Sequence, residues 1–310
     1  MQRWTRWTAL EGGAKVVVRV LQKVLGDATT TLGGVMSVIV LMGSAQFLIG
    51  MVGLWRLRGV VTSDRRGKIG SILFGISSVF CNICALEAFQ YGGSIIVITF
   101  ITTLSIVPGA FLDCLWFGHK ITKRQWCGIS IGLYAGYAIL GFPSFREAAK
   151  FPLWVWLAFG NMAGLVLNQW IVQSIKEIHP YAKNVWGGGA TVALALLIMV
   201  FSPEWARFTI PLWLLSAVSL CSGAVTFFMW SFSLYAYKEG AFISLKKLLV
   251  NSMFLTMTVV VGIFFFGETF TTSHLVGFLL YLFALMLMDE KTWEFVRKKG
   301  LQFLAASRSV

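Results

Sequence analysis

Long apolar runs dominate the chain, and short polar breaks divide them. After residue 30 there are nine runs, each long enough to cross a bilayer as a helix: about 33–55, 67–89, 93–114, 125–142, 152–173, 184–201, 211–236, 242–266 and 273–289. They are continuous rather than ten-residue segments of alternating polarity, so the pattern predicts helices and not a β-barrel. The first thirty residues have no uninterrupted apolar core, and no cleavable leader is expected.

Two polar breaks echo each other. Leu115 to Gly128 reads LWFGHKITKRQWCG, and Phe264 to Gly277 reads FFFGETFTTSHLVG. A shift of 149 positions places Gly118 on Gly267, Thr122 on Thr271 and Gly128 on Gly277. A fixed-period echo marks internal duplication, and this period is about half the chain. The echo extends to polar stripes. Ser71, Gly75, Ser78 and Asn82 share one helix face, and a shift of 148 gives Ser219, Gly223, Thr226 and Trp230. Each stripe alone suits ordinary close packing between membrane helices. The shared offset points both at a common central space.

The same offset bears on the N-terminus. It maps the 152–173 run onto residues 3–24, with Gly164 on Lys15 and Asn168 on Arg19. Glu11, Lys15, Arg19 and Lys23 recur every four residues and share a face. Basic residues at the bilayer centre cost about 2.5–3.5 kcal/mol each, which favours an amphipathic helix lying on the surface. The repeat and the charge pattern favour a tenth crossing helix instead. In that case Lys15 and Arg19 face the central space, with Glu11 paired to Lys15.

Composition agrees with a membrane protein. The 310 residues are 57% hydrophobic and 13% charged, where soluble domains carry about 25% charged residues. The net charge of +13 does not mark a nucleic-acid binder. The bases cluster in alternate loops: Arg56 to Lys68, then Lys120 to Arg124, then Lys176 and Lys183, then Lys238, and finally a basic tail. The opposite loops hold only Arg146, Lys150 and Arg207. The positive-inside rule then places the C-terminus in the cytoplasm. The compact loops make a bacterial inner membrane the expected location, with an organelle membrane as the alternative. Cys81 and Cys84 form a C-x-x-C inside an apolar run with no second pair, which suits packing better than zinc or redox chemistry.

The run from Ala85 to Leu140, with Pro108, Gly118, Thr122 and Gly128, and the matching Gly267, Glu268 and Thr271, resembles the EamA-like form of the drug/metabolite transporter superfamily. The resemblance covers residues 33–289 as a pattern of spans. It implies an all-α polytopic membrane protein of ten helices in two inverted five-helix repeats, 1–145 and 146–290, around a central substrate cavity. The sequence departs from the family at His119, where Glu is usual, and at Met257, where the mate of Pro108 would fall.

Candidate chemistry is sparse. His119, His179 and His274 lie at predicted loop ends with no partner at i+4, so no metal site is expected. No cofactor-binding motif, P-loop or nucleophile elbow is present, and no enzyme activity is expected. Glu268 fits a carboxylate at the start of the helix that follows it. Glu87 and Asp113 lie near span ends, where interfacial water is in reach. Ionisable residues inside spans are the better candidates. Ser244, Lys247, Asn251 and Thr258 form one polar stripe, whereas Lys246 lies off it and can snorkel. Thr99 and Thr102 lie on the equivalent helix of the first half, and Asn161 and Asn168 mark a third stripe. With Asn82, Trp230, Lys15 and Arg19 these residues are the expected substrate contacts. Gly128, Gly132 and Gly136 suit close helix packing or a homodimer contact.

The expectation is a secondary carrier, working by alternating access on a small polar metabolite that is anionic or zwitterionic, such as an amino acid. Exchange of a nucleotide sugar or sugar phosphate is the nearest alternative within transport. A scaffold or lipid-handling subunit is the alternative outside it, and a membrane enzyme comes third. The partners implied are the substrate and the lipid bilayer.

Overall fold

The computed structural model describes residues 3–57, 64–118, 122–142, 144–148, 150–202, 204–241 and 243–288. His119, Lys120 and the basic tail lie outside this set. The described chain is helical, and the β-bridge in it pairs Thr29 with Phe208. Ten helices build the bundle: α1 (Arg3–Ala28), α2 (Leu32–Arg56), α3 (Arg65–Gln90), α4 (Ile95–Leu115), α5 (Lys123–Ile139), α6 (Leu153–Ser174), α7 (Pro180–Phe201), α8 (Leu212–Lys238), α9 (Ile243–Phe266) and α10 (Thr272–Met288). A further short turn covers Phe145–Ala148.

Among the described residues seven helices are long and apolar enough to cross a membrane, namely α2, α3, α4, α6, α7, α8 and the Leu249–Phe266 part of α9. They are consistent with an integral membrane protein. Each of the nine expected spans is a helix. The largest shift in a boundary is in α7, which starts at Pro180 rather than 184. Pro at the first helical position needs no N–H partner, and the His179 side chain accepts from the Tyr181 N–H. The earlier start carries Lys183 out of its expected loop and into a helix.

α4 is broken into Ile95–Thr103 and Ile106–Leu115. Pro108 has no N–H to offer Leu104 four residues back, so the helix opens at Leu104–Ser105. The equivalent helix α9 has Met257 at the matching place and runs unbroken.

α1 does not lie apart from the bundle. It packs against α8, α9 and α3, and buries Glu11, Arg19 and Gln22 among its neighbours. The charged face therefore points inward, into the bundle. The other helices pack in these pairs. α2 packs on α7, and α5 on α10. α3 packs on α6 and α7, while α8 packs on α1 and α2; α9 meets α1, and α4 meets α6.

Small residues set the closest crossings. A Cβ on Gly75 of α3 would lie 2.3 Å from the Gly187 carbonyl oxygen of α7. A Cβ on Gly223 of α8 would lie 2.3 Å from the Met42 carbonyl oxygen of α2. The α5 glycines are also used within the chain: Gly132 faces Ala284 of α10 and Gly136 faces Leu104. The face read as suited to a dimer contact is thus spent on intramolecular packing.

Candidate functional site

Two adjoining cavities lie where α1, α3, α6, α8 and α9 converge. Lys15, Leu165, Met229 and Trp230 line both. The first cavity adds Glu11, Ser105, Gln169, Lys247, Val250 and Asn251, with about 340 Å³ between atoms. The second adds Arg19, Gln22, Ser78, Asn82, Asn161, Asn168 and Thr226, among others, with about 540 Å³. Much of that space is narrow, and only a few water molecules fit.

The lining is held by a chain of hydrogen bonds. Arg19 donates through Nη2 to Asn161 Oδ1 at 3.1 Å and to Thr102 Oγ1 at 3.3 Å. Asn161 is fixed in turn by donating to the Cys81 carbonyl at 2.8 Å. Lys15 donates to Asn251 Oδ1 at 3.2 Å, and Asn251 donates to the Thr103 carbonyl at 3.1 Å. Lys15 also sits 4.3 Å from the centre of the Phe254 ring, a cation–π contact. Lys247 donates to the Ser105 carbonyl at 2.9 Å, beside the break in α4. Gln22 donates to Asn82 at 2.9 Å.

One charge is compensated. Lys246 donates to both carboxylate oxygens of Glu11, at 2.9 and 3.0 Å. Ser233 accepts from the same ammonium. Gln169 donates to Glu11 at 3.4 Å and accepts from the Tyr237 hydroxyl. Glu11 therefore pairs with Lys246, not with Lys15 as its spacing suggests. A neighbour one helical turn away lost to a lysine across the interface, which reaches both carboxylate oxygens. Lys246 does not snorkel; it is fully buried.

Several polar groups around the second cavity have no hydrogen-bond partner. These are Arg19 Nε and Nη1, Asn168 Oδ1 and Thr226 Oγ1. Buried polar atoms are normally satisfied by protein, water or ligand, so these atoms are free to take a water or a guest.

Of the expected contacts, Lys15, Arg19, Asn82, Asn161, Asn168, Trp230, Lys247 and Asn251 line the cavities. Thr102 stands behind Arg19 as an acceptor. Thr99 and Thr258 are buried with unpartnered hydroxyls but do not line either cavity. Thr258 lies nearly two turns beyond Asn251, past the polar zone. The side chain of Ser244 lies outside the described residues. Sequence reasoning missed Gln22, Gln169 and Ser105. Gln169 adjoins Asn168, and its signal was a second amide beside one already singled out.

The end carboxylates also moved. Glu268 accepts from Ser94 Oγ at 2.6 Å and from the N–H groups of Ile95 and Ile96 at 2.5 and 3.0 Å. It caps α4, across the interface, rather than the following helix α10. Asp113 is buried and accepts from the Ile243 N–H at the start of α9 at 3.3 Å. It does not reach interfacial water.

No family model matches the chain, and no curated protein does. A solved structure, titled only "Crystal structure of protein", superposes with a TM-score of 0.62 over 91% of this chain and 97% of its own. The fold is shared at 13% identity, a level at which the likeness speaks for architecture and not for activity.

Proposed function

We propose that this chain is a secondary carrier for a small organic anion, with the substrate held between Arg19, Lys15 and Lys247. The observation that carries the reading is the cation imbalance of the cavities. Among the described residues Glu11 is the one carboxylate in their lining, and Lys246 already holds it. Two guanidinium nitrogens of Arg19, in the lining of the second cavity, have no hydrogen-bond partner. Buried cations are retained where they have an anion to meet. This favours an acid over a zwitterion, whose ammonium would find no free carboxylate in the lining.

The fold class proposed is the two-repeat architecture of the drug/metabolite transporter superfamily. Its support is the packing list. Exchanging each helix for the one five places on returns the same pairs: α3 on α6 becomes α8 on α1, and α3 on α7 becomes α8 on α2. An odd number of crossings per half makes the halves antiparallel, as in other carriers with midplane sites. The narrow cavities fit a carrier between its two open states. The proposed setting is a bacterial inner membrane, with the C-terminus in the cytoplasm.

The test is binding by purified protein, read as thermal stabilisation against a panel of carboxylates, phosphates, sugar phosphates and amino acids. A ligand at 100 times its dissociation constant adds about 2.7 kcal/mol. We expect stabilisation by an acid, lost in Arg19→Leu. Stabilisation by neutral or cationic compounds alone, unchanged in Arg19→Leu, would overturn the reading. A sugar phosphate as the best ligand would select the exchanger alternative.

A further inference from the structure

Lys183 of α7 is not used by the site described above, and its surroundings are unusual for an ammonium group. None of its surface is exposed. Its Nζ has no hydrogen-bond partner. It lies 3.7 Å from the centre of the Phe74 ring and 5.6 Å from that of Trp230. Those two rings meet edge to face at 5.0 Å. Ring faces attract a cation but accept none of its N–H groups in a full hydrogen bond. A buried ammonium left in that state is costly, so its retention points to a partner met in another conformation.

The position of Trp230 says where that partner comes from. The indole that Lys183 approaches also lines both cavities, the space in which Lys15 and Arg19 stand. Thr226, one turn earlier on α8, lines the second cavity with an unpartnered hydroxyl.

We infer that Lys183 is a gated cation of the same site, covered by Trp230 when the cavity is narrow and meeting a second acidic group of the substrate when the indole turns. The substrate class is then a compound with two acidic groups, one for Arg19 and Lys15 and one for Lys183. This rests on the anion-carrier reading, and the experiment separates the two.

Purified protein is treated with a water-soluble amine-acylating reagent, and modification of Lys183 and Lys15 is followed by peptide mass spectrometry. Lys183 should be modified at least ten times faster in Trp230→Ala than in the wild type. Trp230→Phe, which keeps a ring, should fall between and guards against a folding defect in the smaller variant. Succinate should slow modification of both lysines in Trp230→Ala, whereas propionate should slow Lys15 alone. Equal rates in all three proteins would overturn the gate. Protection of Lys15 by succinate without protection of Lys183 would overturn the two-acid inference and leave the anion cavity standing. Protection of neither lysine would remove both.

Discussion

In the proposed two-repeat architecture α1 and α6 occupy matching places, and they do opposite things with them. At the shared offset Lys15 stands against Gly164 and Arg19 against Asn168. α1 supplies the charges, while α6 supplies amides that orient them: Asn161 receives Arg19, and Gln169 donates to Glu11. In that architecture two equivalent helices meet one cavity. Putting cations on both would add repulsion without adding acceptors, and putting amides on both would leave nothing to draw the proposed anion. The division lets one helix charge the site and the other satisfy it.

The same comparison suggests where the halves depend on each other most. Glu11 of α1 is matched by no carboxylate on α6, and it is held by Lys246 of α9. Removing one partner of a buried pair leaves an uncompensated charge and costs about 3–5 kcal/mol. We therefore expect Glu11→Gln or Lys246→Met to lower thermal stability by that amount. The paired change Glu11→Leu with Lys246→Leu should recover most of it. Equal losses in single and double variants, measured by detergent-phase unfolding, would show the pair to be no unit.

Next in size is the charge asymmetry itself. Arg19→Leu should weaken binding of the anion found in the panel by ~100-fold, or about 2.7 kcal/mol. Its mate Asn168→Leu should weaken it by ~10-fold at most, since a single neutral hydrogen bond contributes about 0.5–1.5 kcal/mol. Equal losses at the two positions would break the division of labour between α1 and α6.

Smaller and more symmetric effects should come from the glycine crossings. Gly75→Ala and Gly223→Ala each push a methyl onto a backbone carbonyl oxygen at 2.3 Å. Overpacking of this kind costs about 1–3 kcal/mol. We expect the two substitutions to lower stability by similar amounts, because each glycine sits at the matching crossing of its half. A difference above about 2 kcal/mol would count against the equivalence.

The smallest effect concerns placement. Single cysteines at Thr5 and Asp27, the two ends of α1, should react with an impermeant thiol reagent from opposite sides of the membrane. Reaction of both from one side would return α1 to the surface.

Much of the bundle was legible in the sequence because membrane helices are written as apolar length, which local composition determines. The spacing of Lys15 and Arg19 on one face, and the offset linking Ser78 to Thr226, were enough to predict that α1, α3 and α8 share a central space. The break in α4 was not foreseen, since 93–114 reads as one span; Pro108 causes it and Met257 leaves α9 whole, because a missing N–H acts on its own helix. Partner choice was not legible. Glu11 took Lys246 over Lys15, and Glu268 took the start of α4 over that of α10, because the deciding distances lie between helices. Lys183 was hidden for the same reason: its sequence neighbourhood reads as a loop, and only the packing of α7 against α3 and α8 encloses it between Phe74 and Trp230. The chain determined which residues are polar within an apolar solvent. The tertiary structure decided which of them meet, because a buried charge is settled by the nearest complementary atom in space and not along the chain.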